Sequence, residues 1–162
     1  MKITTEPRSD QWNADDFIAG PRTFTIASVK TGSAEQKYDI ELVEGEGRAW
    51  RPPLTVLRLL VAAWGDDAKV WVGRRVRLYR DPDISFGKDK VGGIRVSHLS
   101  HIDEPMSIML TSARGRRANH TVQPISSTEM QILDLRAEWK TADQERRQVI
   151  ETEVAALSGG AK

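Results

Sequence analysis

The sequence contains no cysteine, and it has only three histidines among 162 residues. Without cysteine, the chain has no disulfide framework, no thiolate metal site and no cysteine nucleophile. No apolar run approaches the roughly 20 residues that a membrane-spanning helix needs. The first ten residues also lack the apolar core of a secretory signal peptide. These absences predict a soluble, cytoplasmic protein without a membrane partner.

Familiar catalytic motifs are missing as well. The sequence has no Gly-x-Ser-x-Gly, no phosphate-binding loop and no His-Glu-x-x-His. His98, His101 and Asp103 form the one cluster of metal-ligating residue types. Zinc needs three or four ligands with settled geometry, and strand residues three apart face opposite sides. We therefore expect no catalytic residues, no bound metal, no cofactor and no enzymatic activity.

The net charge of +1 hides a strong division along the chain. Residues 1–47 carry a net charge of −4, residues 48–120 carry +7 and residues 121–162 carry −2. Eleven of the fourteen cations in the middle segment are arginine. Such asymmetry indicates a polyanionic partner. Arginine can donate two hydrogen bonds to one phosphate and can also stack on bases.

Two patterns of apolar residues indicate strands and helices. From Leu54, apolar residues recur with helical spacing as far as Trp64, and Gly65 fits a helix C-cap. Alternation of apolar and polar residues predicts the strands. They are 22–31, 37–43, 74–80, the two arms of a hairpin over 84–98, 106–112 and 121–125.

Short strands with one interposed helix predict a mainly β protein, an OB-like small antiparallel barrel followed by a C-terminal α-helical tail. The predicted parts are an N-terminal arm (1–21), the OB-like barrel domain (22–125) and the helical tail (126–162). An OB barrel has three strands before its helix, whereas only two are clear here. Either 48–51 supplies the third strand or the barrel is irregular, and a helix-decorated antiparallel sheet of another kind is the structural alternative.

The strand at 74–80 carries the most informative pattern. Alternation places Val76 and Leu78 inward and Arg75, Arg77 and Tyr79 outward. Two guanidiniums beside a phenol ring suit single-stranded nucleic acid, which offers phosphates and stackable bases. A solvated sheet face with cross-strand salt bridges fits equally well. The opposite orientation also stays open, since arginines flank the strand.

Three further basic elements extend this hypothesis. The hairpin over 84–98 carries two lysines and Arg95, although lysines also keep a sheet edge soluble. A loop around Gly115 holds three arginines in four residues. Trp50 beside Arg51 is a stacking platform if exposed and a core residue if buried. The predicted nucleic-acid-binding residues are Trp50, Arg51, Arg75, Arg77, Tyr79, Lys88, Lys90, Arg95, Arg114, Arg116 and Arg117.

Three runs of the sequence resemble a recurrent, mostly uncharacterised protein group of bacteriophages that infect actinobacteria. The runs are Val61-Ala-Ala-Trp-Gly-Asp-Asp67, Trp71-Val-Gly-Arg-Arg-Val-Arg-Leu-Tyr-Arg-Asp-Pro82 and Gly92-Gly-Ile-Arg-Val-Ser-His-Leu-Ser-His-Ile-Asp103. That group is similar in style to small phage single-strand-binding proteins of OB-barrel type. The resemblance covers roughly residues 15–125. It implies a non-catalytic binder of single-stranded DNA in phage replication or recombination, without the acidic C-terminal tip that bacterial single-strand-binding proteins use to recruit partners.

Two other functions remain open at this stage. An interaction protein would bind or inhibit a host protein through the tail helices or a sheet edge. The tail stripe of Ile150, Val154 and Leu157 packs on its own barrel or pairs with a second copy in a homo-oligomer. A Mg²⁺-dependent nuclease would need clustered carboxylates; the candidates are Asp66, Asp67, Asp81 and Asp83.

Overall fold

The computed structural model of the chain describes residues 1, 10–33, 37–84, 92–113 and 116–159, with side chains at all of these except 110–113 and 116. The chain divides into two compact units, residues 1–124 and 125–162. The first unit holds all the strands together with short helices, and the second consists of two helices. The prediction of a mainly β protein with a helical C-terminal tail is confirmed.

Seven strands form one mixed sheet in the order β3-β2-β1-β4-β5-β7-β6. Every neighbouring pair is antiparallel except β5 and β7, which are parallel. Within the described residues the sheet does not close on itself, so the expected closed barrel is not what the structure shows. The strands are β1 (Arg22–Thr31), β2 (Tyr38–Leu42), β3 (Ala49–Trp50), β4 (Arg75–Asp81), β5 (Gly93–Leu99), β6 (Met106–Ala113) and β7 (Arg116–Pro124).

Strand β1 belongs to two parts of the sheet at once. Its first half pairs with β4 and its second half with β2, and a bulge lies between Ile26 and Ser28. A bulge bends its strand and increases the local twist, which lets one ten-residue strand serve both neighbours. The third strand, which the sequence left in doubt, lies within 48–51. It is only two residues long, since Pro52 and Pro53 follow it and proline lacks the N–H that a ladder needs.

Helix α1 (Leu54–Trp64) lies where the spacing predicts it. It ends at Gly65, whose φ of 87° suits glycine and whose N–H donates to the Val61 carbonyl at 2.8 Å. A second short helix, α2 (Ala68–Trp71), begins at Asp67, whose carboxylate accepts from the Lys69 N–H. These two helices bring apolar side chains from both ends of the 54–71 segment against the sheet.

The hydrophobic core lies between the inner face of the sheet and α1. Its fully buried members include Phe24, Leu60 and Val76. Trp64, the last residue of the helical apolar pattern, and Trp71 are both buried. Each indole N–H donates to a backbone carbonyl, from Trp64 to Ser100 at 2.8 Å and from Trp71 to Gly65 at 2.9 Å. A buried tryptophan needs such a partner for its one polar atom.

The N-terminal arm is fastened by two aromatic residues. Trp12 and Phe17, which ends a short 3-10 helix (Ala14–Phe17), are buried in the core. The Trp12 N–H donates to the Ala49 carbonyl at 2.9 Å, so the arm lies along the outer edge of β3. Ile18, which follows Phe17, is 71% exposed and does not help to fasten the arm.

The C-terminal unit is a helical hairpin of α3 (Ser127–Trp139) and α4 (Gln144–Gly159). Ser126 caps α3 by accepting from the Glu129 N–H, and Asp143 caps α4 by accepting from the Arg146 N–H. None of the described helices is long and apolar enough to cross a membrane.

Candidate nucleic-acid interface

The orientation of β4 is settled by burial. Val76 and Leu78 have no exposed surface, so Arg75, Arg77 and Tyr79 lie on the opposite face of the sheet. Neighbouring strands add polar residues to that face through their register. We call it the arginine face, and it consists of Thr23 and Thr25 on β1, Arg75, Arg77, Tyr79 and Asp81 on β4, and Arg95 and His98 on β5.

Two threonines orient two of the guanidiniums. The Nε of Arg77 donates to the Thr23 hydroxyl at 2.9 Å, and the Nε of Arg75 donates to the Thr25 hydroxyl at 3.1 Å. Each contact holds its guanidinium through Nε and so fixes the direction in which the side chain points. Arg77 is half-buried, and burial lowers the pKa of its guanidinium below the ordinary value. An anionic ligand would offset that loss of hydration.

Arg75 and Arg95 lie deeper than an outward row of phosphate contacts requires. They are only 6% and 8% exposed. The Nε of Arg95 donates to Asp81 at 2.6 Å, which makes a nearly buried ion pair. Burial alone would raise the pKa of the Asp81 carboxyl, but hydrogen bonds from Arg95 and from the Asp83 N–H, with the Arg95 charge, hold that pKa below its ordinary value. Both arginines therefore act as fixed supports of the face.

Tyr79 lies against a histidine from another strand. Its ring stacks on that of His120, with centroids 6.3 Å apart and planes 29° from parallel. The Nε2 of His120 lies 2.6 Å from the Val96 carbonyl, which can only accept, so Nε2 carries the proton. Burial, with the Asp81 charge, raises the pKa of Tyr79, so its hydroxyl stays neutral. The pair offers a fixed, half-buried aromatic platform.

His98 stands directly opposite Arg77 on the neighbouring strand. Burial and the Arg77 charge lower the pKa of His98, so the imidazole is neutral near pH 7. Sequence patterns missed His98 and His120 as parts of this face. Once the register shift between Arg77 and Leu78 is known, the alternation of β5 places His98 on this face. No sequence signal places His120 beside Tyr79.

Trp50 and Arg51 do not belong to the arginine face. Trp50 is 2% exposed and packs in the core, as its second interpretation predicts, so its ring offers no stacking platform. Arg51 donates to Asp39 at 2.8 Å and to both oxygens of Asp10. The hydrogen bonds to Asp10 and then to Asp39 raise the pKa of Arg51. These two carboxylates compensate the Arg51 charge, and the ion pairs hold the arm to β2.

The loop cations are only partly described. Lys88, Lys90 and Arg114 lie outside the described residues. Arg116 begins β7, and only its backbone is described, whereas Arg117 is exposed on β7. The arginine face therefore keeps Arg75, Arg77, Tyr79 and Arg95 from the predicted set.

Apart from the arginine face, a groove lies between the arm and the start of β5. We call it the seam groove; its volume is about 840 Å³. Its floor is apolar and its rim is polar. It is lined by Gln11 to Asp15, Lys37, Trp50 to Leu54, Leu57, Ile84 and Gly92 to Ile94.

Carboxylates and histidines do not gather into a metal site in the described part of the chain. There, no group of three or more His, Asp or Glu residues is placed to hold a metal ion. This finding covers both clusters that the sequence suggests, His98 to Asp103 and the four aspartates Asp66, Asp67, Asp81 and Asp83.

Comparisons of the chain with protein-family models, with curated proteins and with solved structures give no match.

Proposed function

We propose that the protein is a non-catalytic binder of single-stranded DNA and that the arginine face is its contact surface. One observation carries the proposal. Three arginines, a tyrosine and a histidine lie on one face of two adjacent strands, β4 and β5, and Asp81 is the one carboxylate that the described residues of these strands add to that face. Phosphates would contact the half-buried Arg77 guanidinium, and bases would stack on the half-buried Tyr79.

The fold supports the same proposal. The strand order β3-β2-β1-β4-β5, with α1 between β3 and β4, is the order of an OB barrel that is open between its third and fifth strands. In this chain β7 and β6 follow on the far side of β5. OB-like barrels often hold single strands, although a fold by itself does not determine function. A role in phage replication or recombination is part of the proposal.

The test is an anisotropy titration of a fluorescent 30-nucleotide DNA strand at increasing salt. Phosphate contacts release counterions, so the logarithm of the affinity should fall linearly with the logarithm of the salt concentration. A slope of about −0.7 for each neutralised phosphate is expected for a single strand. Absence of binding at low salt rejects the proposal.

A second candidate, binding of a partner protein, is supported by the helical hairpin. Trp139 and Val149 are large apolar side chains that are partly exposed there, and the Arg147 guanidinium lies 4.3 Å from the Trp139 ring centroid. Few apolar residues of α3 and α4 are buried. Sedimentation velocity of the full chain across a concentration series tests its simplest form, pairing with a second copy.

A further inference from the structure

We infer that the seam groove is a second binding site, which accepts an extended peptide of a partner protein as an added strand on the open edge of β5. The site is separate from the arginine face. β5 alternates between the two, since Arg95 lies on the arginine face and Ile94 lines the groove. The inference therefore does not depend on DNA binding.

In the part of the chain that the structure describes, the edge of β5 is open along its first half. On that side β7 pairs only with His98 and Leu99, and the Val96 carbonyl accepts from the His120 ring. Antiparallel pairs alternate between hydrogen-bonded and non-hydrogen-bonded. Since the Val96 carbonyl points away from β4, the N–H and C=O of Ile94 point away as well. Among the described residues, no strand pairs with Ile94 there, and an open edge is a template for strand addition.

The opposite wall of the groove is also strand-like. Gln11 forms a parallel bridge with Ala49. The Trp12 N–H donates to the Ala49 carbonyl at 2.9 Å, and the Ala49 N–H donates to the Asp10 carbonyl at 3.0 Å. The groove thus occupies the place where the sheet stays open between the arm on β3 and the start of β5. An extended chain added there would have β5 on one side and the arm on the other.

The floor of the groove suits alternate apolar side chains. Trp50 and Leu57 form its buried part, and Ile94 is half-buried at one side. Leu54, the first residue of α1, is 50% exposed, so it offers apolar surface at the groove. Every second side chain of an added strand would face this floor, which is how strand-addition sites select their partners.

Charge on the rim favours a peptide over a nucleic acid. The Arg51 charge is compensated by Asp10 and Asp39. Asp15 has an 80% exposed side chain, and its one described ion contact is with the Nε of Arg80 at 3.9 Å. Among the described residues, the cations Lys37, Arg51 and Arg80 are balanced by the carboxylates of Asp10, Asp15 and Asp39, so these groups leave no positive excess to attract phosphates. A lysine or arginine of the peptide would complement Asp15.

The experiment is a selection of random nine-residue peptides displayed on phage against the full chain. Enriched peptides should alternate apolar residues and carry a lysine or arginine. One enriched peptide is then labelled for anisotropy. Ile94→Pro removes the outward N–H without breaking a bond to β4 and should weaken binding at least tenfold. Ile94→Val, which keeps the N–H, should bind as the unmodified chain does.

Leu54→Glu is a second variant, at an exposed helix position, and should also weaken peptide binding at least tenfold. The inference is overturned if selection enriches no common pattern or if Ile94→Pro and Leu54→Glu bind the peptide normally. It is also overturned if a 30-nucleotide DNA strand displaces the peptide, because the groove would then hold nucleic acid. Failure of DNA binding at the arginine face leaves all of these outcomes unchanged.

Discussion

At the scale of the residue, the side chains of the arginine face fall into two groups that differ in how deeply they are buried. Arg75 and Arg95 are buried, and Arg95 is held by Asp81, whereas Arg77, Tyr79 and His98 are half-buried and reach the surface. Direct contact with a ligand therefore falls to the second group. The alternation of β4 correctly predicts which residues share a face. It cannot predict depth, which depends on side chains packed across strands.

Replacing Tyr79 tests the aromatic platform. Tyr79→Leu should weaken binding of single-stranded DNA about tenfold, since stacking contributes roughly 1–3 kcal/mol per base. Tyr79→Phe keeps the ring and should bind within about twofold of the unmodified protein. Anisotropy with one labelled oligonucleotide measures both, after thermal unfolding has shown that both variants fold. Equal losses in the two variants would place the stacked base elsewhere.

The Arg95–Asp81 pair makes stability depend on pH in a definite direction. The pKa of Asp81 is lower in the folded protein than its ordinary value near 3.9 in the unfolded chain. The stabilisation is therefore present above about pH 4 and is lost as pH falls through the lowered value.

Asp81→Asn should lower the free energy of unfolding by roughly 3 kcal/mol at pH 7, because it leaves the buried Arg95 without its counter-charge. The difference from the unmodified protein should shrink below pH 4. Urea unfolding at several pH values measures it. Asp83→Asn, an exposed change in the same turn, is the control and should cost little at any pH.

At the scale of the element, periodic patterns of apolar residues predict the positions of individual strands and helices. β1, β2, β4, α1 and the two tail helices lie close to their expected bounds. β5, the second arm of the predicted hairpin, pairs with β4, whereas of the first arm only Ile84 lies within the described residues. Strand pairing is a long-range property that alternation does not contain.

Helix α1 offers a matched test of its packing. Leu60 is fully buried against the sheet, whereas its neighbour Val61 is exposed. Leu60→Ala should lower the free energy of unfolding by about 3 kcal/mol, since it leaves a cavity in the core. Val61→Ala should change it by less than about 0.5 kcal/mol. Chemical denaturation of both variants is the measurement. Similar losses would mean that α1 packs through another face.

At the scale of the molecule, charge and shape separate two surfaces. The arginine face lies on the outer side of the sheet, and the seam groove opens where the sheet stays unclosed on the other side. The +7 middle segment indicated a polyanion partner, but it did not show that Arg51 is compensated by Asp10 from the arm. Such compensation joins residues 41 positions apart, which no local pattern reveals.

The central claim is that DNA phosphates contact the arginine face. The most direct measurement compares the salt dependence of oligonucleotide binding for the unmodified chain, Arg77→Gln and Arg58→Gln. Arg58 is exposed on α1, on the core side of the sheet. Arg77→Gln should reduce the magnitude of the salt slope by about 0.7, the value for one lost phosphate contact, and Arg58→Gln should leave it unchanged. Equal slopes for all three proteins would contradict the claim.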